Sequence, residues 1–245
     1  MTGHSAHDRL IRKLESISAL SPEETHALRS LPITLRRVQD NADIVCEGDR
    51  PSQCCLVVEG FVCRYKLTAE GKRQIFSFHV AGDIPDLQSL HLKVMDHSLA
   101  TLTTSQLAFI PHESLAKLMH RCPRVADVLW RDTLIDAAVF RQWMVCMGRR
   151  SSTSHLAHLI CELLVRMRAV GLAEDHHFKL SATQAELGDA MGISTVHVNR
   201  VLQELRGDGL ISLHGATLKV LDWEGLKQVG EFDPTYLHLA KKNAA

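Results

Sequence analysis

The chain carries no net charge, no long apolar run and no cysteine pair at metal-binding spacing, and each absence narrows its function. Lysine and arginine total 28, and so do aspartate and glutamate. That balance excludes a polybasic, histone-like protein, while a DNA reader with a local basic face stays compatible. No apolar run approaches the ~20 residues that a membrane helix needs. Residues 1–9 are polar and hold no apolar core of a signal peptide. The seven cysteines, at 46, 54, 55, 63, 122, 146 and 161, are an odd number and form no C-x-x-C pair. They predict reduced thiols in a cytoplasmic protein and no disulfide framework, while the lack of a membrane-length apolar run predicts no membrane partner. A Gly-rich phosphate loop, a G-x-S-x-G elbow, an H-E-x-x-H helix and a patterned acid–base pair are all missing. The chain is therefore not read as an enzyme, and no catalytic residue is expected.

What is present is ordinary globular material. The 245 residues are 45% apolar and 23% charged, enough for two domains with packed cores. From Asp8 to Leu31 the pattern is helical, with Leu10, Leu14 and Ile17 at helix spacing and a capped restart at Ser21-Pro22-Glu23-Glu24. From Ile33 to Pro111 short β-rich runs take over: Ile44–Cys46, Leu56–Val58, Phe61–Tyr65, Ile75–His79 and Leu107–Ile110. Turns at Gly48, Gly60, Gly71 and Gly82 separate them, which predicts an antiparallel sandwich or barrel. Pro123 then opens a long helix to about Gly148. Another helix runs from Ser151 to Gly171.

The most informative stretch is Leu180 to Leu221. Thr183 and Glu186 fit a capping box, and a short helix leads to a sharp turn at Gly192. Ser194 caps a second helix in which Val198, Val201, Leu202 and Leu205 form one apolar stripe. Its opposite face carries Thr195, His197, Asn199, Arg200 and Gln203, which can donate or accept hydrogen bonds. Two helices joined by a glycine turn, the second polar on its outer face, match a helix-turn-helix. Such a helix fits the major groove, where base edges present a readable code. Any amphipathic helix pair shares this outline, and the basic residues nearby are nearly balanced by acids. Residues 210–213 and 217–221 read as a two-stranded wing.

With Thr183, Glu186, Leu187, Gly188, Gly192, Ser194, Val198, Arg200, Leu202 and Gly209-Leu210-Ile211 in place, the chain resembles the Crp–Fnr superfamily of bacterial transcription regulators. Upstream, Gly48-Asp49, Leu56 to Val62, Glu70-Gly71-Lys72 and Gly82-Asp83 resemble its cyclic-nucleotide-binding β-roll. The resemblance implies an α+β chain: an N-terminal jelly-roll or double-stranded β-helix, a long dimerisation helix and a C-terminal winged helix-turn-helix. The expected divisions are N-terminal helices (1–32), β-roll (33–111), connecting and dimerisation helices (112–150), DNA-binding domain (151–222) and C-terminal tail (223–245). It implies a homodimer on a palindromic DNA site, with RNA polymerase as a further partner. The DNA-contacting set is Thr183, Ser194, Thr195, Val196, His197, Asn199, Arg200 and Gln203, with Val196 where many members carry a glutamate. Val128, Ile135, Ala138 and Val145 make the expected dimer stripe, although a helix buried in its own chain would show the same pattern.

The resemblance also locates an effector pocket at Gly82, Asp86, Leu87, His97 and Ser98. Members that bind cyclic AMP hold its ribose with a glutamate and its phosphate with an Arg-Ser or Arg-Thr pair. Counted from Gly82, those positions fall on Leu87 and His97-Ser98, so both charged anchors are missing and a cyclic AMP response is not expected. No cysteine precedes Cys46, so the N-terminal iron–sulfur cluster of redox members is not expected either. His79, His91 and His97 with Asp86 match no ligand spacing, so no metal site is expected. Haem or another small effector is left open. The alternative function is an effector-binding module acting through protein partners. It calls for an intact phosphate cassette and no helix-turn-helix, the reverse of what stands here.

Overall fold

The computed structural model describes residues 3–240. Two helices lead, α1 (Gly3–Glu15) and α2 (Pro22–Arg29), the second started by a complete capping box between Ser21 and Glu24. Seven antiparallel strands follow: β1 (Thr34–Val38), β2 (Asp43–Val45), β3 (Gln53–Glu59), β4 (Val62–Leu67), β5 (Arg73–His79), β6 (Ser98–Thr101) and β7 (Ser105–Pro111). They form two sheets, ordered β1-β7-β3 and β2-β6-β4-β5. β3 is buried on both faces, which is why it reads as an unbroken apolar run. Cys54, Leu56 and Val58 face the helices, while Cys55 and Val57 face the inside of the roll with Val62, Leu99 and Leu107.

Three strands have no apolar alternation to announce them. β1 is Thr-Leu-Arg-Arg-Val, largely exposed. β6 is Ser-Leu-Ala-Thr, wholly buried yet half polar. A third, β8 (His177–Lys179), pairs with the hairpin of β9 (Ile211–His214) and β10 (Thr217–Val220) and makes the wing three-stranded, ordered β8-β10-β9.

The helical half begins with α3 (His112–Arg121) and the 27-residue α4 (Pro123–Arg149). It continues through α5 (Ser152–Ala169), α6 (Gln184–Met191), α7 (Thr195–Gly207), β9 (Ile211–His214), β10 (Thr217–Val220) and α8 (Trp223–Gly230). Residues 223–240 do not trail away: α8 packs on α5, and a short 3-10 turn (Pro234–Leu237) returns to α4; the rest of the expected tail lies outside the described residues. One apolar core runs through both halves, joining Phe61, Phe78, Val139 and Trp143 to α5 and to Val198, Leu202 and Leu205 of α7.

The expected dimer stripe on α4 needs correcting. Val128 and Ile135 are buried in the core shared with α1 and β3, and Ala138 is also buried. Of the four, only Val145 is exposed. α4 has two apolar faces, and periodicity alone cannot say which one its own chain covers. The face left open carries Trp130, Leu134 and Met144, exposed by 63%, 49% and 61%.

Two glycines test the strand turns. Gly60 has φ +108, and a Cβ there would lie 2.1 Å from Ser105 Oγ, whereas Gly71 has φ +78 and open space around it. Gly60→Ala is expected to cost about 3 kcal/mol or more, Gly71→Ala about 1 kcal/mol. Urea unfolding of both variants checks this; equal losses would show that backbone conformation alone sets the cost.

Candidate nucleic-acid interface and sensor pocket

The reading face is built from α6, the turn and α7. Thr183 Oγ1 accepts from the Glu186 amide at 3.2 Å, and the Thr183 amide donates to Glu186 Oε2 at 2.6 Å. Gly192 closes α6 in the left-handed conformation at φ 68. Gly188 has no room for a side chain, since a Cβ would sit 2.7 Å from the Ile193 carbonyl oxygen. These two glycines bring α7 tightly against α6. Ser194 then caps α7, its hydroxyl accepting from the His197 amide at 3.2 Å.

Burial of Val198, Val201, Leu202 and Leu205 turns the opposite side of α7 outward. Thr195, Val196, Asn199, Arg200 and Gln203 are exposed, Val196 by 81%, and His197 is half-buried. Arg200 donates to His197 Nε2 at 3.0 Å. A guanidinium can only donate, so His197 accepts at Nε2 and carries its proton on Nδ1. Asn199 Nδ2 donates to Gln184 Oε1 at 3.2 Å. Gln184, which sequence reasoning missed, thereby orients a candidate base reader from the neighbouring helix. Its signal was faint: a polar residue just after the Thr183 cap. The head is docked on the roll through Arg73, whose Nε donates to Asp189 at 2.7 Å, and Gln74, which donates to the Ala190 carbonyl at 3.2 Å.

The expected effector residues do not line one pocket. Gly82 has φ +103, and α1 crosses close over it: a Cβ there would lie 2.8 Å from Lys13 Cβ. Leu87 lines a cavity of about 60 Å³ between α1, the roll, α4 and α5. That space suits a few waters. His97 instead lines an apolar groove with Phe76, Phe140, Trp143 and Met144. Its Nδ1 donates to Asp96 at 2.7 Å, and Gln88 approaches Nε2 at 3.4 Å. Burial and the nearby Arg64 lower its pKa, so the ring is neutral at pH 7. Ser98 Oγ is taken by the Glu47 amide at 3.0 Å. Asp86 is buried, with Oδ1 accepting from the Cys55 amide at 2.7 Å.

Charged side chains of the protein itself fill the space between roll and helices. Asp83 accepts from Lys13 at 2.7 Å, from Arg166 at 3.1 Å and from the Val80 amide at 3.0 Å. Burial opposes its ionisation, but Lys13, His79 and Arg166 outweigh that and hold its carboxyl well below the usual range. Arg64 of β4 donates to the Pro85 carbonyl at 2.6 Å and pairs with Asp136 of α4. His79, buried beside Arg64, is pushed down to about 4 and is neutral. Burial likewise raises the Cys54, Cys55 and Cys63 thiols, and all seven cysteines are unpaired. Among the described residues no three His, Cys, Asp or Glu side chains converge on one point.

Asp86 gives a pH test. Burial pushes its carboxyl up to about 7, against about 3.9 in an unfolded chain. Between those values the native state keeps a proton that the unfolded state releases. Its contribution to stability is therefore full below the lower value and is lost as pH rises through the upper one. Asp86→Asn keeps the acceptor for Cys55 and removes the titration. Its stability relative to the parent should climb between about pH 4 and 7 and level off with a gain on the order of 2–4 kcal/mol. Urea midpoints across that range decide it; a pH-independent difference would mean that the carboxyl is ionised throughout.

The model of the Crp-like helix-turn-helix domain matches residues 154–229, and that of the cyclic nucleotide-binding domain matches residues 35–122. Among curated proteins, the chain is 24% identical over 204 residues to "Transcriptional activator protein anr" of Pseudomonas aeruginosa, covering 83% of each. It is 22% identical over 222 residues to the "Anaerobic regulatory protein" of Haemophilus influenzae, covering 91% of this chain and 86% of that one. Its fold matches the solved structure of FixK2 from Bradyrhizobium japonicum with a TM-score of 0.72 and 23% identity, over 81% of this chain and 98% of that one. The curated relatives are transcription regulators, not enzymes. With both domains in the family's order and the reading helix exposed, the chain belongs to the Crp–Fnr superfamily and is a DNA-binding transcription regulator of that type.

Proposed function

We propose that the protein acts as a homodimer that reads a palindromic DNA site through α7 and gives no response to cyclic AMP. The observation that carries this reading is the outward row on α7: Thr195, Val196, Asn199, Arg200 and Gln203 stand clear of the core, next to a turn fixed by Gly188 and Gly192. Arg200 suits guanine, Asn199 and Gln203 suit adenine, and Val196 can touch a thymine methyl but accepts nothing from cytosine. Thr183 and Ser194 have their side chains engaged as caps, so they contribute mainly by aiming helix N-termini at phosphates. The dimer seam in this reading is the open α4 face of Trp130, Leu134 and Met144. A two-fold axis there would set two α7 helices about one DNA turn, ~34 Å, apart.

The roll is a poor host for a cyclic nucleotide. Leu87 and neutral His97 replace the anchors and face different spaces, and the cavity beside Leu87 holds only a few waters. An iron–sulfur centre has no N-terminal cysteines to hold it. In this reading the Arg64–Asp136 pair does internally what a ligand does in a sensor, joining roll to helix. Contact with RNA polymerase follows from the activator role in the Pseudomonas aeruginosa relative's name and belongs to the same proposal.

In vitro selection of sites with the parent, Arg200→Ala and Val196→Glu tests the interface. The parent should select a palindrome, Arg200→Ala should lose about 1–3 kcal/mol at one base pair of each half-site, and Val196→Glu should shift an adjacent pair towards C·G by a similar amount. Three identical site profiles would mean that α7 does not face the bases. Millimolar cyclic AMP should leave the melting temperature unchanged; a saturable rise would overturn the reading of the pocket.

A further inference from the structure

The chain beyond α8 turns back across the junction between the two halves, and neither the helix-turn-helix match nor the proposed interface accounts for it. We propose that residues 231–240 are a strap that holds the winged helix-turn-helix on the body of the protein in the orientation from which it reads DNA, with Tyr236 as its clasp.

The strap starts on the reading head. Gly230 lies flush on α5, where a Cβ would be 2.7 Å from the His158 amide nitrogen. Arg150, at the junction of α4 and α5, donates to the Glu231 carbonyl at 3.2 Å. Phe232 and Leu237 are 5% and 2% exposed, so the segment is anchored by burial as well as by polar contacts. Tyr236 then reaches the buried charges. Its hydroxyl donates to Glu162 Oε2 at 2.8 Å and lies 3.1 Å from His158 Nε2, which can supply the hydrogen bond that the oxygen accepts. Glu162 is fully buried, accepts from Trp143 Nε1 of α4 at 3.2 Å and pairs with Arg166 at 3.2 Å. Arg166 in turn holds Asp83 of the roll.

The far end grips the sensor half. Leu239 packs against both apolar cores, the one shared with the reading head and the one around α1. Arg131 of α4 reaches the His238 carbonyl at 3.5 Å, and the Ala240 amide donates to the Ser16 carbonyl, just after α1, at 2.8 Å. Ten residues therefore tie α5 to α4 and α1. The strap runs behind the head: with it closed, Val196 and Arg200 of α7 remain exposed. It thus limits where the head points without masking what it reads. A head already aimed loses less orientational freedom on binding, so closing the strap strengthens DNA binding.

The test uses the full chain with Tyr236→Phe and, separately, Leu239→Asp. Tyr236→Phe keeps the packed ring and removes the hydroxyl, and Leu239→Asp peels the far end from the cores. Affinity for a selected DNA site is read by fluorescence anisotropy at fixed salt, and preference among single-base variants of that site is read alongside. Each variant should bind on the order of 5–10-fold more weakly, the low end of ordinary coupling between sites, with base preference unchanged. In Leu239→Asp, amide exchange should quicken in α1 as well as in residues 231–240. Unchanged affinity in both variants would overturn the strap, and tighter binding would show that the segment restrains the head instead. Loss of base preference together with affinity would place the defect inside the head and also overturn it.

Discussion

The structure turns on the carboxylate of Asp83. A buried anion is costly unless its lone pairs are matched by cations and amides, and removing one partner leaves an uncompensated charge. Here the partners come from separate parts of the chain: Lys13 from α1, Arg166 from α5 and the Val80 amide from the roll itself. Arg166 also donates to the Phe78 carbonyl and to Glu162. Satisfying one carboxylate thus fixes the N-terminal helix and the first helix of the reading head on the same edge of the roll. The same site explains Gly82, which lets α1 pass close enough for Lys13 to reach.

That arrangement has consequences at both ends of the molecule. Towards the pocket, cations and carboxylates occupy space between roll and helices, leaving a small cavity with a few waters' room. Towards the DNA interface, the continuous core from Phe61 and Phe78 through α5 to Leu202 and Leu205 carries the position of the roll to α7. The head is therefore an extension of the body, and its outward row of side chains is set by packing that begins far from DNA.

Much of this was legible in the sequence, for identifiable reasons. The N-cap at Ser21, the capping box at Thr183, the glycine turn at 192 and the apolar spacing of α7 are local signals, and local signals survive in a linear reading. The polar β1 and the small-residue β6 were not legible, because their pairing partners, not their composition, make them strands. The apolar character of Val128, Ile135 and Ala138 on α4 is legible, but the face that the chain itself covers is not, since only packing against α1 and β3 buries Val128 and Ile135. Nor could spacing reveal that Leu87 and His97 look into different spaces, that Gln184 steadies Asn199, or that Lys13, Asp83 and Arg166 meet. Those are long-range contacts with no periodic trace.

Differential scanning calorimetry of the parent and of Asp83→Asn tests the central claim, that one buried carboxylate makes sensor and reading head a single cooperative unit. The account predicts one transition for the parent and, once the carboxylate is neutralised, two, with the helix-turn-helix melting apart from the roll. Two transitions in the parent, or a single transition in Asp83→Asn at the parent's temperature, would contradict it.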